Sequence, residues 1–174
     1  QDILRELRNE SVIALQGTRL PQDGQPLSLS ESCGFIVLQF GYAKTSNRHA
    51  GVALCFNKRQ YKRHHLHAIS WPEDGLLQGR AMAVRTKRPF SDVLHMVTYF
   101  PPFTGQLRLH SLMLRWMTKV MRSKPTRCMP IIFMDANTQF GLAQGVAGHV
   151  RVSSSALGSC PNAGMENAAG TKLR

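Results

Sequence analysis

Met129-Pro130-Ile131-Ile132-Phe133-Met134-Asp135-Ala136-Asn137-Thr138-Gln139-Phe140-Gly141 is the stretch whose reading decides the fold. Ile131 to Met134 form a continuous apolar run, which suits a strand covered on both faces. The run stops at Asp135. Side chains two apart in an extended chain share a side, so Asp135 and Asn137 are expected to converge at the carboxyl end of that strand. α/β sheets place ligands and chemistry at that end. A carboxylate with a carboxamide suits a divalent cation or a phosphoryl group. The same residues also suit a plain Asx-type turn. At this point both readings stand.

Working outward, Gln106 to Arg122 is expected to be a helix. Leu109, Leu112, Met113, Trp116 and Val120 make one apolar stripe. Arg108, Arg115, Lys119 and Arg122 fall on another face, either solvated or laid along a phosphate backbone. Ser123-Lys124-Pro125 ends the helix, and helix followed by strand is half of a βαβ crossover. Further upstream, Val12–Leu15, Phe35–Phe40, Gly51–Phe56, Arg80–Val84 and Val93–Phe100 read as strands. Asp2 to Leu7 reads as the end of a helix. A polar loop is expected between Gln16 and Phe35. Pro101-Pro102 must end their strand, which leaves Tyr99 at a strand end.

Lys58 to His67 is dense in cations and reads as a solvated hairpin tip ahead of a phosphate contact. Arg85, Lys87 and Arg88 are expected at a second basic tip. From Gly141 the chain is rich in Gly, Ala and Ser, so 141–174 reads as a long loop or poorly ordered tail after an ordered part of about 1–140. The expected fold is one α/β sandwich with mixed or antiparallel sheets over 1–174, not a doubly wound parallel sheet.

Lys plus Arg number 22 against 10 Asp plus Glu, a net charge of +12. That excess favours a polyanionic partner, nucleic acid first and an anionic membrane surface second. No apolar stretch is long enough to span a bilayer, and no signal peptide is visible, so an intracellular location, with the nucleus as an option, is expected. The spacing of Cys33, Cys55, Cys128 and Cys160 matches no zinc or redox motif, so they read as reduced structural thiols.

Four landmarks now stand in order: V-I-A-L-Q-G-T-R (Val12 to Arg19), G-V-A-L-C-F-N (Gly51 to Asn57), V-T-Y-F-P-P (Val97 to Pro102) and I-I-F-M-D-A-N (Ile131 to Asn137). This series resembles the endonuclease/exonuclease/phosphatase family, and looks most like the apurinic-type endonuclease domains of non-LTR retrotransposons. Glu166 to Leu173 echoes the family's Asn…Gly…Leu segment.

The resemblance implies a four-layer α/β sandwich and Mg²⁺-dependent hydrolysis of nucleic acid, DNA ahead of RNA. It implies that Asp135 activates the attacking water. Asn137 and Tyr99 would hold the phosphate, with Asn167 in support. Arg19, Arg108, Arg115 and Lys119 are the candidate nucleic-acid contacts. The family's metal-binding Glu, which follows the Gln of its first landmark, is replaced by Gly17, so no metal ligand is assigned. Glu166 and Asp92 are the conceivable substitutes. The family's opening Asn and closing Ser-Asp-His segments have no counterpart in the chain. A non-catalytic nucleic-acid-binding remnant is the alternative reading. A phosphatase or deadenylase of the same family fits the charge less well.

Overall fold

The computed structural model describes residues 2–21, 27–42, 50–101 and 107–137. Strand alternation organises it. In β4 (Val52–Asn57), Val52, Leu54 and Phe56 share one face, while Ala53, Cys55 and Asn57 share the other. β1 (Val12–Gln16) and β3 (Phe35–Phe40) flank β4, and β2 (Leu27–Ser32) lies outside β3, giving an antiparallel sheet in the order β1-β4-β3-β2. The second sheet runs β5 (Leu66–Ser70), β6 (Ala81–Arg88), β7 (Ser91–Tyr99), β8 (Met129–Asp135). Its first two pairings are antiparallel, and β7 with β8 is parallel. The molecule is therefore mixed α/β and mostly strand.

The inner faces meet in one core. Ile36, Leu38 and Phe40 join Val52, Leu54 and Phe56 from the first sheet, opposite Met82, Val84 and Val97 of the second. Burying so many large apolar side chains, at roughly 1.5–3 kcal/mol each, is what holds the sheets together. Each outer face carries a helix. Leu4 of the short helix α1 (Asp2–Glu6) packs on Ile13, Phe35 and Cys55. The long helix α2 (Leu107–Ser123) lays Trp116, Met117, Val120 and Met121 on Ala83, Leu94 and Met96. Its start buries Met113 beside Leu77, Ala81 and Phe100.

Four expectations need correction. Leu27–Ser32 is a strand, not loop; its Ser-rich, largely exposed sequence gives little burial signal, and pairing with β3 alone fixes it. Leu66–Ser70 is likewise a strand, taking up the end of the supposed basic tip. Arg85, Lys87 and Arg88 belong to β6 itself, and the turn falls on Pro89 and Phe90. The run Ile131–Met134 is not covered on both faces: Ile132 and Met134 are 42% and 40% exposed. The reason is that α2 lies over β6 and β7, and among the described residues β8 pairs only with β7. The βαβ half-unit is present, since α2 joins the parallel neighbours β7 and β8. The expected tail 141–174 lies outside the described residues.

Candidate functional site

The parallel register of β7 and β8 makes Tyr99 and Asp135 direct partners, so their side chains leave the sheet on the same face. Both stand at carboxyl ends of strands. Phe100 N donates to the Asp135 carbonyl at 2.9 Å, continuing the ladder one residue past the strands. The chain then turns sharply at Asn137, whose φ is +45°. Asn tolerates this left-handed conformation better than most residues. Asn137 N donates to Asp135 Oδ1 at 3.0 Å, and Asn137 Nδ2 donates to the Phe100 carbonyl at 2.7 Å. The Asx turn and the clustered site are thus one structure. The two side chains do not converge as an extended strand would have them; Asn137 turns back and clips β8 to β7.

Tyr99 is half-buried against the inter-sheet core. Beside it lies Arg80, a residue the sequence singled out only as the start of a strand. Arg80 is 2% exposed. Its guanidinium carbon sits 5.8 Å from the Tyr99 ring centroid, and Nη1 lies 3.4 Å from the Tyr99 carbonyl, to which it donates. Tyr99 N donates in return to the Arg80 carbonyl at 2.8 Å. Among the described residues no carboxylate pairs with this cation. Burial lowers the Arg80 pKa, partly opposed by Tyr99. The available clue was an Arg between Gly79 and the apolar run Ala81–Val84, but a charged residue at a strand start ordinarily reads as exposed.

The end of β1 arrives at the same rim. Gly17 has φ +61° and leads to Thr18, whose N donates to the Gly51 carbonyl at 3.0 Å. Arg19 is exposed, with φ +53° and its N donating to the Ala50 carbonyl at 3.1 Å. Gly51 N crosses to the second sheet and donates to the Gly79 carbonyl at 2.7 Å, one residue from Arg80. A relay of backbone bonds thus runs from Thr18 and Arg19 through Gly51 and Gly79 to Arg80, Tyr99 and the Asp135–Asn137 turn. Arg108, Arg115, Lys119 and Arg122 are all exposed on α2, as the helical spacing predicts, and Arg115, Lys119 and Arg122 line a shallow depression of about 600 Å³ with Thr118 and Ser123. Asn167 and Glu166 lie outside the described residues. Asp92 is excluded as a stand-in for the missing Glu. It sits at the far end of β7, where it accepts from Arg85 Nε at 2.8 Å and Arg85 Nη2 at 2.6 Å.

The donor set can be tested against the Mg²⁺ that the resemblance implies. Gly17 supplies no side chain, and the carboxylate contributed by these site residues is that of Asp135. Among the described residues no three His, Cys, Asp or Glu gather around one point. The described donors alone do not make a Mg²⁺ site. No helix of the described residues is long and apolar enough to cross a membrane. No known protein family matches the chain, and no curated protein matches it either.

Proposed function

We propose that this chain is a nucleic-acid phosphodiesterase domain of the endonuclease/exonuclease/phosphatase type, a four-layer α/β sandwich acting on DNA. One observation carries the reading: the register pairing of Tyr99 with Asp135 at a strand-end rim, locked by the Asn137 clip. In this reading Asp135 Oδ2 takes the proton of the attacking water while Asn137 N holds Oδ1 in place. The Tyr99 hydroxyl donates to a phosphate oxygen. The buried cation of Arg80 behind Tyr99 favours the negative charge that develops during attack. The net charge of +12 supports a polyanionic substrate. Mg²⁺ dependence belongs to this reading as an expectation of the resemblance, and Asn167 keeps its supporting place in it.

Gly17 favours a second reading, a domain that binds DNA through the same rim and the α2 face without hydrolysing it. Nicking of supercoiled plasmid, with and without Mg²⁺, separates the two. The chain, Asp135→Ala and Gly17→Glu are compared. The Glu would occupy a left-handed position at a cost of about 1–2 kcal/mol, so its folding is checked by circular dichroism. Mg²⁺-dependent nicking that disappears in Asp135→Ala supports the first reading. Salt-dependent DNA binding without nicking in any of the three proteins supports the second.

A further inference from the structure

The other end of the sandwich is chemically unlike the rim. Eight residue steps along β7, roughly 27 Å at the usual strand rise, separate Ser91 from Tyr99. At this far end the segment after β4 brings Arg59, Lys62 and Arg63 to the surface, and the β6–β7 hairpin brings exposed Lys87 and half-buried Arg88. The two groups are contiguous: the Arg88 guanidinium lies 4.7 Å above the ring of Tyr61, between Arg59 and Lys62 in the chain. Glu31 offsets part of the charge by pairing with Lys58 and, at 3.1 Å, with Arg63. Among the described residues Arg59 and Lys62 form no ion pair, and the acidic neighbour of Lys87, Asp92 across the β6–β7 ladder, is already held by Arg85. At the tip, Phe90 is 102% exposed. A hairpin that places a large ring wholly in water, directly beside a band of cations, meets no need of the fold.

We infer that this far end is a second contact surface, and that it binds single-stranded nucleic acid. A strand presents phosphates and unpaired bases in alternation. The cations answer the phosphates, and Phe90 offers a flat face on which one base stacks. A duplex keeps its bases paired and gives the ring nothing to stack on. An anionic membrane would attract the same cations, but anchoring needs a broader apolar face than one ring at a turn. The inference rests on these charges and this ring, and not on the chemistry assigned to Asp135.

The test is fluorescence anisotropy of a labelled oligo-dT strand across a salt series, with the whole chain. Arg59→Ser/Lys62→Ser/Lys87→Ser should flatten the plot of log affinity against log salt by about 2, since each phosphate contact to a single strand contributes about 0.7. Phe90→Ser should weaken oligo-dT binding about tenfold, the scale of one base stack, and leave the salt slope unchanged. The same variant should bind duplex DNA and heparin as the parent does. The Phe90→Ser effect on oligo-dT should be the same size in an Asp135→Ala background, so loss of the catalytic reading leaves this result untouched. An unchanged slope in the triple variant overturns the inference. So does an equal effect of Phe90→Ser on single strand and duplex. So does a Phe90→Ser defect seen on phosphatidylserine vesicles but not on oligo-dT.

Discussion

Replacing His95 with Phe should flatten the acid limb of the protein's stability curve. His95 is 2% exposed in the inter-sheet core. Its ring meets Phe56 edge-on at 5.2 Å and Tyr61 at 6.2 Å. Nε2 lies 3.1 Å from Thr86 Oγ1, while Nδ1 has no hydrogen-bond partner. Burial, helped by the nearby Arg88 charge, pushes its pKa from 6.5 down to about 4. As pH falls through 6.5 the unfolded chain takes up a proton at this position and the folded chain does not. Acid therefore favours unfolding. The contribution is whole above pH 6.5 and is lost by about pH 4. Each pH unit corresponds to about 1.4 kcal/mol, so roughly 3 kcal/mol disappears across the window, a large share of the 5–15 kcal/mol of a typical domain. Asp92, held down to about 2 by Arg85, loses its contribution only below about pH 3.8 and stays out of this window. His65 shifts in the same direction as His95 but is common to both proteins, so it cancels in the difference. Urea unfolding followed by Trp71 and Trp116 fluorescence at pH 7, 5.5 and 4 gives the measurement. The stability difference between parent and His95→Phe should change by about 3 kcal/mol between pH 7 and 4. Parallel pH dependences in the two proteins would refute the assignment of this titration to His95.

The α2 face makes a separate electrostatic prediction: Arg108→Ser/Arg115→Ser/Lys119→Ser should lower the salt slope of duplex binding by about 2 to 3, and an unchanged slope removes that face as a contact. Asn57→Ala should cost about 3 kcal/mol in chemical denaturation. Asn57 is 4% exposed, and its carboxamide donates to the Arg8 and Glu10 carbonyls at 2.9 Å each and accepts from Arg59 N at 3.0 Å. A loss below 0.5 kcal/mol, the range of ordinary surface substitutions, would show that other groups satisfy those atoms. Gly51→Ala should destabilise by about 2 kcal/mol or more, because φ is +115° and the new Cβ would stand 2.3 Å from Thr18 Oγ1. A melting temperature equal to the parent's would contradict that backbone geometry.

What the sequence made legible was whatever depended on local periodicity. The 3.6-residue stripe placed α2 within a residue of its bounds and put its arginines on the water side. The apolar runs located β3, β4, β7 and β8. β2 and β5 escaped because an edge strand owes its conformation to backbone pairing with a neighbour, which leaves little mark on its own side chains. At the rim, the Asp-Ala-Asn spacing and the Tyr before two prolines pointed to the right place. Their direct pairing depended on the β7–β8 register, a property of two segments 30 or more residues apart. Arg80 was hidden for the same kind of reason: its burial comes from tertiary packing beside Tyr99 and not from its neighbours in the chain.

The bond from Gly51 N to the Gly79 carbonyl joins two sheets whose backbones, in face-to-face packing, usually lie about 10 Å apart. A Cβ on Gly79 would come within 3.0 Å of both the Gly41 carbonyl and Gly51 N, so the contact exists because that residue is side-chain-free. It acts as a rivet at one end of the sandwich. Sliding of one sheet over the other is blocked at this bond, while the inner faces of the described strands meet through side-chain packing. Exchange of the Gly51 amide proton with solvent therefore reports the parting of the two sheets, where most strand amides report the fraying of one.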